Sequence, residues 1–141
     1  MIGGIAAVLH GSARNTFELD ICFATDDDNL AALGDVLTTL GARLKGDQED
    51  VPFVPDAGTL RQAERLTLVT SLGELDVLPR PSGAPAYREL REHADRYDVG
   101  GFNVSVASID DLIAMKQAAG HARDHLDIEE LEAIKRLRRG P

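Results

Sequence analysis

The chain has 141 residues, 43% of them hydrophobic, 28% charged and 4% aromatic, the size and balance of one globular domain with a core of Leu, Val, Ile and Ala. Fifteen Lys and Arg against 24 Asp and Glu leave a formal charge of −9, which repels a phosphate backbone at long range and excludes broad, non-specific nucleic-acid binding. A lone cysteine, Cys22, excludes an internal disulfide and a Cys/His zinc cluster; with no basic leader and no apolar run near the roughly 20 residues of a membrane span, a cytoplasmic protein without membrane contacts is expected.

Ile2 to Leu9 is small and apolar and reads as a buried strand. His10 to Thr16 breaks the pattern as a loop around Gly11-Ser12. Clean alternation follows, with Phe17, Leu19, Ile21 and Phe23 on a core face and Glu18, Asp20, Cys22 and Ala24 opposite, which predicts a half-buried strand. Asp26-Asp27-Asp28 suits a helix start, and Leu30, Leu33, Leu37 and Leu40 follow at helical spacing up to Gly41. Residues 45–60, with two prolines and two glycines, read as a long irregular loop.

Leu66 to Thr70 and Gly73 to Leu78 predict a hairpin whose second strand sets Leu75 and Val77 against Glu74 and Asp76. A short helix is expected from Tyr87 to Ala94, and two strand pieces from Tyr97 to Val106 meet at Gly100-Gly101. Ser108 with Asp111 three residues on resembles a capping box opening a helix that Gly120 ends. The last helix, about Arg123 to Leu137, is expected to turn Leu126, Ile128, Leu131, Ile134 and Leu137 inward, and its terminal run of Lys and Arg suits the helix dipole. No repeat or linker suggests a second domain.

The sharpest chemical feature is Gly11-Ser12 followed by Glu18-Leu19-Asp20. Residues i and i+2 of a strand share a face roughly 6.5–7 Å apart. Two such carboxylates repel each other, and a bridging cation favours their ionised forms. Mg²⁺ takes hard oxygen ligands, few of them from protein when phosphates supply the rest. The same spacing also fits a plain solvated strand face. Asp76, in the pattern Glu74-Leu75-Asp76-Val77, tips the balance: were its strand to neighbour the first, three acids would converge on one polar face. Glu74 is the alternative third acid, nearer the turn. His10 and Cys22 suit packing roles better than chemistry.

The stretch from Gly3 to Ile21 resembles the signature of the DNA polymerase beta-like nucleotidyltransferases, in which a Gly-Ser turn precedes an acidic–apolar–acidic strand and a third acid lies on a later strand. Leu68 to Leu78 resembles that later strand. Asp111 to Gly120, then Arg123-Asp124 and Asp127, resembles the C-terminal helices of small bacterial members, which include abortive-infection (toxin–antitoxin type) toxins and antibiotic-modifying enzymes. The resemblance implies one α/β (α+β) domain over residues 1–141, with a short mixed sheet, helices mainly on one face, an open polar face bearing the acids, and an N-terminal helix missing or supplied by another chain. It further implies transfer of a nucleoside monophosphate from ATP or another NTP to an acceptor hydroxyl with release of pyrophosphate. Glu18, Asp20 and Asp76 would hold Mg²⁺, or Mn²⁺ in its place, with Asp76 also a general base. Gly11 and Ser12 would cradle phosphates, Lys116 would neutralise triphosphate charge, and Arg14 and Thr16 would shape the loop or touch phosphate. The first acid is usually Asp; Glu18 departs from this. That departure motivates the alternative of a non-catalytic nucleotide-binding or interaction module, acting as a homodimer or with a partner subunit.

Overall fold

A computed structural model describes residues 1–46 and 53–140. Four strands form one mixed sheet in the order β1-β4-β3-β2: β1 (Leu19–Cys22), β2 (Arg43–Leu44), β3 (Leu66–Thr70) and β4 (Gly73–Leu78). The β3–β4 hairpin is antiparallel, as the pattern around Ser71-Leu72 predicts, and β4 runs parallel to β1. A separate antiparallel hairpin, β5 (Asp95–Val99) and β6 (Phe102–Val106), turns at Gly100-Gly101. Among the described residues, six helices complete this mixed α/β fold: α1 (Gly3–His10), α2 (Asp27–Thr39), α3 (Ala57–Gln62), α4 (Tyr87–His93), α5 (Ile109–Ala119) and α6 (Asp124–Arg139).

Alternation along β1 and β4 divides the core. Leu19, Ile21, Leu75 and Val77 face α2 and α3, packing with Leu30, Leu37, Leu60 and Leu68. Leu30, Leu37, Leu60, Leu68 and Val77 are wholly withdrawn from water, and each contributes about 1.5–3 kcal/mol. On the opposite face, Leu78 and Cys22 join a second cluster with α1, α4, α5 and α6, including Ala6, Leu90, Leu112 and Leu131. Asp20 and Asp76 share that second face, where the apolar cover stops.

The caps follow sequence chemistry. Asp26 accepts from the Asn29 N–H at 2.9 Å, and Ser108 from the Asp111 N–H at 3.1 Å. Gly120 closes α5 with a left-handed φ of 66°, a conformation that costs a side chain but not glycine.

Several expectations give way. Ile2 to Leu9 is not a strand: only Ile2 bridges to Asp20, and α1 begins at Gly3. A short apolar run does not distinguish strand from buried helix; here the alanines favour helix, and Gly11 closes it, its N–H bonding Val8 and that of Ser12 bonding Ala7. Of the loop expected at 45–60, residues 47–52 lie outside the described residues, and Ala57–Gln62 is helix, capped by Asp56. Phe17 is 86% exposed rather than inward, because the β1 ladder starts only at Leu19. Leu126 and Leu137 are also exposed, while Leu131 holds the buried stripe of α6.

Candidate active-site cleft

The register of β1 against β4 builds the centre of the site. Leu19 pairs with Leu75, Asp20 with Asp76 and Ile21 with Val77. Neighbouring strands lie about 4.8 Å apart, and paired residues of a parallel ladder point to one side. The two aspartates therefore stand side by side. They open into a cleft of about 770 Å³ whose wall also includes Glu18, Arg14, Thr16 and Lys116.

Burial, and next the Asp76 charge beside it, push the Asp20 carboxyl up to about 6; Glu18 adds to this, while Arg65 and Arg14 oppose it. An acid strained in this way gains most from a cation or a proton. Among the described residues, no group of three or more Asp, Glu, His or Cys side chains is gathered as a metal-binding cluster. Asp20 and Asp76 are brought together by the ladder. Glu18 lines the same cleft but precedes β1, so no strand pairing fixes it. Glu74 turns elsewhere, accepting from Lys45 Nζ at 2.7 Å.

Gly11 and Ser12 do not line the cleft. Gly11 ends α1, with Ile134 Cδ1 the nearest neighbour of a Cβ placed there. The Ser12 hydroxyl donates to Glu130 Oε2 at 2.6 Å, and the Ala13 N–H donates to Glu130 Oε1 at 2.8 Å. These bonds hold the Glu130 carboxyl below its ordinary range. The Ser12 hydroxyl, expected to meet phosphate, thus already serves a carboxylate of the protein, and the Gly11 N–H bonds the Val8 carbonyl.

The glycines that do line the cleft are Gly3 and Gly4, at the opposite end of α1. Gly3 has φ 72°, and a Cβ there would overlap the Asp20 carboxylate; one on Gly4 would lie 3.0 Å from the Thr16 hydroxyl. No side chain caps this end and its first turn has no acid. Its leading N–H groups, which have no intrahelical partner, open the turn that stands beside Asp20, at the positive end of the helix dipole. Sequence reasoning passed over Gly3-Gly4 because the segment was read as strand; a glycine doublet opening a helix was the available signal.

Lys116 and Arg14 line the cleft. Lys116 is buried, its Nζ 2.7 Å from Asp127 Oδ2, and Arg14 Nη1 reaches the same oxygen at 2.6 Å. Arg65 and Arg80 also line the cleft, with Arg65 Nη1 3.8 Å from Asp76 Oδ2. Both sit in irregular segments with no pattern to mark them. His10 has the structural role expected: its Nε2 lies 2.7 Å from the Ala107 carbonyl and its Nδ1 3.0 Å from the Tyr97 hydroxyl. Cys22 is half-buried, and burial pushes its thiol up.

No protein-family model matches the chain, and no curated protein does. Among solved structures, it is similar to the lincosamide antibiotic adenylyltransferase LnuA in its lincomycin-bound crystal structure. The TM-score is 0.59 at 18% identity, over 94% of this chain and 84% of that one. Likeness at that identity speaks for the fold alone: the chain shares the fold of that adenylyltransferase.

Proposed function

We propose that this chain transfers a nucleoside monophosphate from a nucleoside triphosphate to an acceptor hydroxyl. The observation that carries the proposal is the in-register pair Asp20 and Asp76, facing a cleft that also receives the uncapped first turn of α1. Two facing carboxylates, one pushed up to about 6 by burial and its neighbour, are a hard-oxygen donor set that fits Mg²⁺ or Mn²⁺ when phosphate oxygens complete the shell. When bound, that ion supplies charge neutralisation at the phosphate and orients the reacting groups.

The chain's own groups do the rest. The leading amides of α1, at Gly3 and Gly4, meet phosphate oxygens. Lys116 and Arg14 offset triphosphate charge. Asp76 accepts the proton of the attacking hydroxyl as its oxygen bonds to the α-phosphorus and the bond to pyrophosphate breaks. Glu18 is the third acid within reach, one methylene longer than aspartate. In this reading Gly11 and Ser12 take no phosphate: both lie outside the cleft lining, and the Ser12 hydroxyl already donates to Glu130.

The test is calorimetric titration of ATP, GTP, CTP and UTP with Mg²⁺ into the parent and an Asp20→Ala/Asp76→Ala double variant. Metal-dependent binding present in the parent and lost in the variant supports the reading. Pyrophosphate release with hydroxylated antibiotics then addresses the acceptor; a lincosamide is the first to try, given the compound bound in the similar LnuA structure. The absence of a closed three-acid cluster among the described residues favours one second reading, a nucleotide-binding module without catalysis. It predicts binding with no pyrophosphate release, also after Glu18→Asp.

A further inference from the structure

Asp127 stands behind the cleft wall rather than on it. Lys116 and Arg14 line the cleft; Asp127 does not. One oxygen of Asp127 accepts from both, at 2.7 Å from Lys116 Nζ and 2.6 Å from Arg14 Nη1. All three side chains are largely withdrawn from solvent, with side-chain exposures of 10% for Lys116, 13% for Asp127 and 22% for Arg14. Asp124 adds a longer contact, 3.8 Å from Lys116 Nζ, while its other oxygen accepts from the His121 N–H.

The two cations come from distant parts of the chain. Lys116 rides on α5 and Arg14 on the loop between α1 and β1, and α6 brings in the carboxylate that joins them. Two cations converging on one point repel each other unless an anion lies between them. Each has donors to spare: an ammonium carries three N–H bonds and a guanidinium five, so one bond to Asp127 leaves the others available. Both are long, rotamer-rich side chains whose ordering would otherwise be charged to ligand binding.

We infer that Asp127 is a positioning residue that fixes Lys116 and Arg14 as a matched pair of donors for the β- and γ-phosphates of the nucleotide. The inference rests on the nucleotide reading above and deepens it. It separates two parts of the ligand. The β- and γ-phosphates depend on the Asp127-held pair, whereas the nucleoside and α-phosphate depend on the rest of the cleft.

The experiment compares MgATP with AMP by calorimetry, on the parent and on Asp127→Asn, with a thermal melt of each protein. Asparagine keeps an oxygen acceptor and removes the charge. The expected result is about a tenfold loss of ATP affinity with AMP affinity within about twofold of the parent, in a folded protein. Equal losses for both nucleotides would show a merely structural role and overturn the proposal. A gain in ATP affinity would overturn it too, by showing that Asp127 masks the cations. So would no change. Should Asp127→Asn not fold, Lys116→Gln/Asp127→Asn removes one charge of each sign. It is expected to lose ATP preference beyond Lys116→Gln alone, because Arg14 is then released; equality of the two overturns the proposal. A folded parent that binds neither nucleotide would sink the nucleotide reading itself, and this inference with it.

Discussion

The two ends of α1 both carry glycine, and they do opposite things. At the carboxyl end, Gly11 closes the helix and Ser12 and Ala13 give their hydrogen bonds to Glu130. At the amino end, Gly3 and Gly4 leave the first turn uncapped, with Gly3 against Asp20, in the cleft that Asp76 also lines. A Gly-Ser pair thus acquires its meaning from where its donors point, and from which anion already holds them. The dipole sharpens the contrast: the amino end attracts anions and the carboxyl end repels them.

The largest effect expected from breaking this contrast is at Gly3. Gly3→Val forces a β-branched residue to φ 72° and drives its side chain into the Asp20 carboxylate. Nucleotide affinity should fall by at least about a hundredfold, and stability by about 1–3 kcal/mol. Gly11→Val should show a stability loss of similar size, since Gly11 also has a positive φ, 115°, with nucleotide affinity unchanged. Titration and thermal melts on the two variants decide it, and comparable affinity losses would dissolve the distinction.

Asp20→Asn comes next, in chelator-treated protein. Folding raises this carboxyl from 3.8 to about 6. The folded state therefore holds its proton more tightly than the unfolded one, and stability falls as pH rises from about 4 to about 6. Above that window the variant should be more stable than the parent by about 1–2 kcal/mol, discounting the shift for the solvent that reaches the cleft. Near pH 4 the advantage should vanish. A pH series of melts that shows a constant difference would refute the charge-crowding account of the pair.

Smaller effects belong to the carboxyl end. Ser12→Ala removes a hydrogen bond to a carboxylate and the acceptor of the Arg14 N–H, costing about 1–2 kcal/mol, with nucleotide affinity within about twofold. A much larger affinity loss would return Ser12 to the phosphate site. The smallest expected change is for Glu130→Gln. Its parent carboxyl is held below 4.5 by Ser12 and Ala13. The stabilisation is present above about pH 4.5 and lost as pH falls through the lower folded value. The variant should therefore melt below the parent at neutral pH and converge with it in acid.

Much of this organisation was legible in the sequence. The leucine spacing of α2, the capping residues Asp26 and Ser108, and the β3–β4 hairpin rest on local chemistry, and they stand as read. The matching acid–apolar patterns around Asp20 and Asp76 suggested a common face, and the parallel register supplies it. What stayed hidden depends on distant partners. Ile2 to Leu9 is too short and too uniformly apolar for periodicity to choose its structure. Phe17 alternates correctly but lies beyond the ladder. Ser12 meets Glu130 across 118 residues of chain, a contact no local pattern announces.

The position of β1 carries a further consequence, for the order in which the molecule assembles and comes apart. This strand has four residues and lies at the edge of the sheet; among the described residues its strand partner is β4, with a single bridge from Ile2 on its other side. Its partner belongs to a hairpin closed over a few residues, whereas Asp20 and Asp76 are 56 positions apart (76 − 20). Hairpins form early because little loop entropy opposes them, and long-range pairings follow. The aspartate pair is therefore completed late in folding. The cleft is thus built on an edge of the sheet that closes late, where a cation shared by Asp20 and Asp76 would also act as a rivet between two strands.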